Sequence, residues 1–301
     1  MATISTLVRG KGRADVLASR GVTPVLFNSL DETDVIEQVA TQYDVIINTA
    51  SGFHDASARA MTSGTSNLAD QPVTGKYHET RIFYDRDDIY SYKKSREALQ
   101  PYAQRTTNVV VIEEGSRASV KTYVLMSPTI YGLDSGLFNV QSTQVPTLIR
   151  VAIQESQAEV IGAGGATWDH VHIADVSRLY ELVLSKILRG EAIPHGTHGW
   201  YFSEAGRHTW LEMSQGVADA LYAKGEIKSK DVRSIELQGA VFKWAGGSLL
   251  FCELGYASNS RTQGDLSRNL GWLPEKTDED FRNHYRAEVR AIVKDLARNY
   301  A

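Results

Sequence analysis

The sequence predicts a doubly wound α/β fold with a parallel sheet, and three observations predict it. From Ile4 to Ser51, short β-branched runs alternate with amphipathic helices and brief turns, the order in which each strand is covered on both faces. Further on, a long helical stretch from Arg96 to Glu114 feeds a second apolar run at Val120–Met126. The chain has 301 residues, 42% hydrophobic and 23% charged, enough to bury a full core as one large domain or a domain plus a smaller lobe.

Composition excludes several functions. The net charge of −4 and pI near 6.1 provide no basic stripe, so neither nucleic acid nor an anionic membrane is an expected partner. Met1 to Gly10 carries no apolar signal core, and no apolar run approaches the roughly 18 residues a bilayer span needs. Cys252 is the only cysteine, which rules out an internal disulfide and a cysteine zinc site. A cytoplasmic location is the expectation.

In order, the first unit reads as strand Ile4–Val8, helix Arg13–Ser19, strand Thr23–Phe27, helix Glu32–Thr41 and strand Asp44–Thr49. A dinucleotide-binding sheet opens with a strand, a Gly-rich turn and a helix, whereas this chain begins at what reads as the second strand. Arg9 directly follows that strand, where an arginine accommodates a 2′-phosphate, or else it is a solvated loop residue. Gly10 and Gly12 resemble a phosphate loop, but Asp15 stands where the third glycine belongs and would repel a diphosphate. Asn48-Thr49-Ala50-Ser51-Gly52 is a small polar strand end that lets a planar ligand lie close to the backbone.

The next segment is compressed. His54–Ala60 is about two helical turns, and Met61-Thr62-Ser63-Gly64-Thr65-Ser66 follows at once, with too few residues for a full crossover and strand. Polar stretches at Gln71–Gly75 and Asp85–Asp88 lead to the Arg96–Glu114 helix, in two pieces around Pro101. The strand at Val120–Met126 then delivers Ser127-Pro128-Thr129-Ile130-Tyr131-Gly132.

Five stretches, in this order and spacing, carry a resemblance: Ile47–Ala50, Thr62–Thr65, Pro128–Gly132, Trp168–Val176 and Leu270–Pro274. The chain resembles the extended short-chain dehydrogenase/reductases, the NAD(P)-dependent epimerase/dehydratase group, and an atypical branch of it. The resemblance implies a Rossmann-like sheet lacking its first βα unit over residues 1–132, and a smaller α+β substrate lobe over 133–301, interleaved into one compact unit. It places Asn48, Thr49, Ala50 and Ser51 on the adenosine side of a cofactor cleft and Pro128, Thr129 and Ile130 at the nicotinamide end. Ser63 or Thr65 would orient the substrate oxygen. The cofactor would be NADP, given Arg9, or NAD, or none if the missing turn abolishes binding.

The family's chemistry needs Tyr-x-x-x-Lys, whose ammonium lowers the phenol pKa. Tyr90 and Lys94 have that spacing but lie far upstream of the strand; Tyr102 is better placed, yet Thr106 stands where the lysine should be. Tyr102 is favoured, because one helix must connect the site to the strand. Three repairs of the missing strand are conceivable: an incomplete gene product, closure by neighbouring strands, or filling by another segment or subunit.

In the smaller lobe, Val145–Ile153 reads as a helix entered at Pro146, with Gln144 before it offering a pocket group. Gly162–Gly165 leads to Trp168-Asp169-His170-Val171-His172; alternate strand residues share a face, so a His-x-His metal pair is conceivable, but no third ligand stands at a fixed spacing. By the resemblance, Tyr131, Gln144, Trp168, His170, His172 and Arg261 line a pocket for a small-molecule substrate, with Arg261 pairing an anionic group or else standing at the surface. Asp175 and Ser177 are expected caps of the helix ending at Leu188. Gly199–Phe202 reads as a strand, Thr209–Lys224 as a helix with a core stripe, and Asp278–Tyr300 as a closing helix.

Three functions stay open besides the truncated product: an NAD(P)-linked oxidoreductase or epimerase on a small carbonyl or hydroxyl substrate, using Ser63 or Thr65 and Tyr102; a cofactor-independent isomerase, cyclase or lyase using His170, His172 and Tyr131; and a non-catalytic sensor. A homodimer is the assembly allowed for.

Overall fold

The structure is a computed structural model that describes residues 3–48, 61–133, 135–138 and 140–299. The predicted α/β class holds. Strand β1 (Ser5–Val8), helix α1 (Lys11–Ala18), strand β2 (Thr23–Leu26) and helix α2 (Thr33–Ala40) follow the predicted order, with β1 and β2 parallel in the register Ser5↔Thr23 to Val8↔Leu26. Residues 44–48, expected as the next strand, are not one. A β-rich run becomes a strand only when a neighbour closes its backbone hydrogen bonds, and no described strand pairs with it, leaving Ile46 and Ile47 exposed. The expected helix at 54–60 lies outside the described residues.

Strand β3 (Met61–Gly64) runs into a single 3₁₀ turn, Thr65–Leu68, and the chain then forms β4 (Phe83–Tyr84), α3 (Ile89–Leu99), α4 (Ala103–Arg117), β5 (Val124–Ser127) and β6 (Thr129–Tyr131). Pro101 splits the helix as expected: Gln100 before it is driven into extended backbone, where a helix cannot continue. All four residues of β5 are buried, as suits a central parallel strand, and it lies between β3 and β9 (Trp200–Phe202), parallel to both.

The second half adds α5 (Gln144–Gln154), β7 (Glu159–Ile161), β8 (Thr167–His172), α6 (Ile173–Leu188), β10 (Gly206–Thr209), α7 (Trp210–Lys224), β11 (Arg233–Ile235), α8 (Leu237–Ala245) and α9 (Leu249–Tyr256). It closes with β12 (Thr262–Gln263), α10 (Asp265–Asn269), α11 (Asp278–Asn283) and α12 (Tyr285–Asn299). Strand β8 is parallel to β6 and antiparallel to β10, which brings His170 opposite Gly206 and Trp168 opposite His208. The largest apolar cluster joins α5, α7, α8 and α12 and reaches Tyr102 and Tyr131, so the Tyr102 ring is packed into it.

Two expectations need correction. Helix α6 is capped by His172, whose Nδ1 accepts from the Ala174 N–H at 3.1 Å, because β8 runs into the helix without a linker. Asp175 instead accepts from the Glu275 and Lys276 N–H groups at 2.9 and 3.1 Å, and Ser177 bonds the Ile173 carbonyl. The closing helix is two helices, separated at His284, whose Nδ1 donates to the Phe281 carbonyl.

Candidate functional site

At the carboxyl end of β3, the 3₁₀ turn swings Ser66 toward α4, and its Oγ lies 3.1 Å from the Tyr102 hydroxyl. Tyr102 is held at the helix entrance by Pro101 behind it and by its own N–H, which donates to Glu97 Oε2 at 3.1 Å. With the Gln104 amide nitrogen turned toward the turn, it donates to the Gly64 carbonyl at 3.2 Å and to Ser66 Oγ at 2.8 Å, and its oxygen accepts from the Gly64 N–H at 3.0 Å. Gln104 therefore ties strand end and hydroxyl to α4. A side chain at Gly64 would meet this amide at 3.0 Å.

Burial pushes the Tyr102 phenol up to about 12, with the Ser66 hydrogen bond and the Arg105 guanidinium opposing. Thr106, four residues on, bonds Glu97 and brings no charge. The cation beside the ring is Arg105, its Cζ 5.8 Å from the ring centroid, anchored by its Nε to the Asn67 carbonyl at 3.1 Å. Lys93, also buried, donates to Asn108 and lies 4.3 Å from the Trp200 ring centroid; desolvation and then Arg105 drive its pKa well below the ordinary lysine value. Tyr90 and Lys94 sit 3.4 Å apart on α3, and both bond Glu113 at the surface.

The other expected cofactor residues divide. Thr65 and Thr129 are buried, with hydroxyl oxygens that have no partner among the described residues. Pro128 lies between β5 and β6, and Ile130 packs on the cluster around Val171 and Leu179. Arg9 is exposed directly after β1, and Asn48 is half-buried. Thr49, Ala50 and Ser51 lie outside the described residues, as does the Ser63 side chain.

The chemistry of this donor set fits the redox end of a nicotinamide nucleotide: a hydroxyl pair and two orphaned buried hydroxyls follow the ends of adjacent parallel strands. The diphosphate end is served less. Gly10, at φ 87°, leaves the α1 N-terminus open and without a side-chain cap, but it follows β1, which pairs with β2 and not with the β3–β5–β9 sheet. Asp15 is exposed.

The expected substrate residues occupy a second region. Tyr131 meets His170, His172 and Phe281 edge-on at centroid distances of 5.6, 5.1 and 5.0 Å. His170 bonds His208 through their Nδ1 atoms at 3.2 Å and donates from Nε2 to Asp278 at 3.2 Å, while burial pulls its pKa down to about 4, so it is neutral. Gln144 is committed to the Gly255 carbonyl at 2.6 Å, Trp168 Nε1 to Ser258 at 3.0 Å, and Arg261 to the Glu79 carbonyl at 2.9 Å. Beside Tyr131 a cavity of about 450 Å³ is lined by Gly132, His172, His284 and Glu288 among others, and by neither Ser66 nor Tyr102. Among the described residues no group of three His, Cys, Asp or Glu is placed to hold a metal ion, and no helix is long and apolar enough to cross a membrane.

Ser66 is the residue that sequence reasoning missed. The signal was present as four hydroxyls in the run Thr62-Ser63-Gly64-Thr65-Ser66, but which of them reaches the phenol depends on the 3₁₀ turn.

No protein-family model matches the chain. A dTDP-glucose 4,6-dehydratase from Bacillus anthracis, solved with NAD, superimposes with a TM-score of 0.61 at 14% identity, over 93% of this chain and 82% of that one. A UDP-glucose 4-epimerase from Thermotoga maritima, solved with UDP-glucose, gives 0.57 at 12% identity, over 97% and 100%. This chain has the fold of those dehydratases and epimerases. A third neighbour, the UDP-glucose 4-epimerase of Thermus thermophilus in complex with NAD, gives 0.54 at 14% identity, over 96% of this chain and 99% of that one. In sequence, the chain is 24% identical over 308 aligned positions to the oxidase ucsJ of an Acremonium species, covering 90% of this chain and 85% of that protein.

Proposed function

We propose that this protein is an NAD(P)-linked oxidoreductase or epimerase acting on a small carbonyl or hydroxyl substrate. The observation that carries the reading is the Tyr102–Ser66 hydroxyl pair, 3.1 Å apart at the carboxyl end of a parallel sheet, in a fold shared with dehydratases and epimerases solved with NAD. When bound, the nicotinamide supplies or accepts the hydride. Ser66, fixed by Gln104, and Tyr102 hold the substrate oxygen from two sides. With its pKa near 12, the phenol is protonated at neutral pH and donates to the oxygen as a carbonyl is reduced. Arg105 takes the place of the absent ammonium by favouring the phenolate that remains. Arg9, after β1, favours a 2′-phosphate and hence NADP.

Titrating the purified chain with NADPH and NADH while following nicotinamide fluorescence tests this. Saturable binding on the order of micromolar is expected, tighter for NADPH, with that preference lost in Arg9→Asp. No binding of either nucleotide by a folded sample overturns the proposal.

A further inference from the structure

The hydroxyl pair stands at one end of a chain of buried side chains that runs inward to a lysine. Ser66 Oγ meets the Gln104 amide at 2.8 Å, the Asn67 amide lies 3.4 Å from the same end of Gln104, the Asn108 amide lies 3.3 Å from Asn67, and Lys93 Nζ meets Asn108. Lys93, Asn67 and Asn108 are fully buried. One atom of Asn67 makes both of these contacts, and so does one atom of Asn108. An amide exchanges its oxygen and nitrogen by a half-turn, so the direction in which the whole chain donates is set by its two ends.

Donation from Lys93 to Asn108 is one of two directions, and it belongs to an ammonium, which has donors only. Asn108 then turns its oxygen to Lys93 and Asn67, Asn67 its nitrogen to Asn108 and Gln104, and Gln104 its oxygen to Asn67 and Ser66. At the far end this direction meets the Gly64 backbone, whose polarity is fixed. It sets the Gln104 oxygen 3.2 Å from the Gly64 carbonyl and the nitrogen 3.0 Å from the Gly64 N–H, two repulsive contacts that the turned amide converts into hydrogen bonds. With Gln104 turned as Gly64 requires, its two hydrogens are shared among Gly64, Ser66 and Asn67; Asn67 answers with its oxygen, Asn108 with its nitrogen, and Lys93 has to accept, which takes the lone pair of a neutral amine.

The surroundings of Lys93 agree. The Trp200 ring of β9, its centroid 4.3 Å away, favours the charge. From α4 the lysine faces Arg105, which is itself repelled by Arg96 and paired with Glu97 at 3.6 Å. Desolvation first and Arg105 second push its pKa well below the ordinary lysine value. The direction of the chain decides where the hydroxyl protons point. When Gln104 donates to Ser66, the Ser66 proton is available to a substrate oxygen; when Gln104 accepts, that proton is spent on it and Tyr102 turns its own proton onto Ser66.

We propose that Lys93 is a positioning residue for the Tyr102–Ser66 pair: as a neutral amine it accepts from Asn108 and keeps the three amides in the direction that leaves the Ser66 and Tyr102 protons for the substrate, and as an ammonium it reverses them. The consequence for turnover rests on the oxidoreductase reading of that pair; the coupling itself does not.

The test is nuclear magnetic resonance of the full chain labelled with carbon-13 at lysine Cε and tyrosine Cζ, Lys93 being assigned by its contact with the Trp200 ring and Tyr102 by Tyr102→Phe. At about pH 8, where an ordinary lysine is an ammonium, Lys93 is expected to resonate as a neutral amine. On acidification its resonance should move to the ammonium position, and the Tyr102 resonance should move with the same midpoint. In Lys93→Met the Tyr102 step should vanish, with stability in urea unchanged or higher, since an apolar chain replaces a desolvated base. Neither signal needs a bound nucleotide, so a failed NADPH titration and a failure here are separate results. An ammonium resonance for Lys93 at about pH 8, a Tyr102 resonance that stays in place through the Lys93 transition, or a Tyr102 step that persists in Lys93→Met overturns the proposal; the first decides alone if the chain unfolds before Lys93 takes up its proton or if Lys93→Met does not fold.

Discussion

Removing the hydroxyl of Tyr102 separates the packing of its ring from the role proposed for its hydroxyl. In Tyr102→Phe the ring still fills its place in the apolar cluster, and Ser66 keeps its Gln104 partner. The loss in stability should be about 1 kcal/mol, the net worth of one buried hydrogen bond. On the proposed reading, turnover of a carbonyl substrate should fall by about 100-fold or more, because Tyr102 is there the proton donor. Urea denaturation and steady-state oxidation of the reduced nucleotide measure the two effects separately, and a stability loss with unchanged turnover would remove Tyr102 from the chemistry. Choosing Tyr102 over Tyr90 needed only the spacing to Pro101 and the following strand, which are local facts. Ser66 and the gathering of His170, His208 and His284 were not legible, because a turn conformation, an antiparallel strand and a distant helix bring them together. Glu288 adds a pH effect of definite sign. Burial raises its carboxyl from the ordinary 4.5 to about 7. The stability this shift contributes is fully present below about pH 4.5 and is lost as the pH climbs through about 7. Wild type should therefore lose on the order of 2 kcal/mol relative to Glu288→Gln between about pH 5 and about pH 8, a difference that urea denaturation at the two pH values measures. The glutamine oxygen can still accept from the Gly132 N–H, so the comparison isolates the charge.

At the scale of single elements, stability at two helix starts rests on side-chain caps. Thr209 and Glu212 form a reciprocal capping box on α7, and Thr277 and Asp280 form another on α11. Thr209→Ala and Thr277→Ala should each cost about 1 kcal/mol in urea denaturation. Elements whose signal is internal were legible: β5 is a buried apolar strand, α7 carries its stripe, and the break between α3 and α4 is written in Pro101. Residues 44–48 were not legible despite their Val-Ile-Ile content, because a strand is a property of a pair. The sequence also cannot show that β8 would pass straight into α6 and make His172 the cap, displacing both Asp175 and Ser177 from that role.

At the scale of the whole molecule, burial is unevenly distributed. Among described residues 3–48 only Val8 and Ala14 are buried, while the three apolar clusters are built from residues beyond 67. The β1–β2 pair has α1 packed beside it, and α2 has no buried residue. Backbone hydrogen bonds backed by so little apolar cover open locally without global unfolding, so amides in 5–26 should exchange far faster than those of β5, β8 and α7. Nucleotide binding would change this selectively, since Arg9 and the Gly10 turn lie within the same segment. At a free NADPH concentration about 100-fold above its dissociation constant, a segment that must be closed for binding gains about 2.7 kcal/mol, or roughly 100-fold slower exchange. Hydrogen exchange with and without NADPH, read by mass spectrometry of peptides from 3–48 and from 124–224, measures it. Slowing confined to the first set means that the β1–β2 unit grips the nucleotide. If fluorescence reports binding but exchange in 3–48 does not slow, the nucleotide is held by the β3–β5–β9 side alone, and Arg9 does not select it.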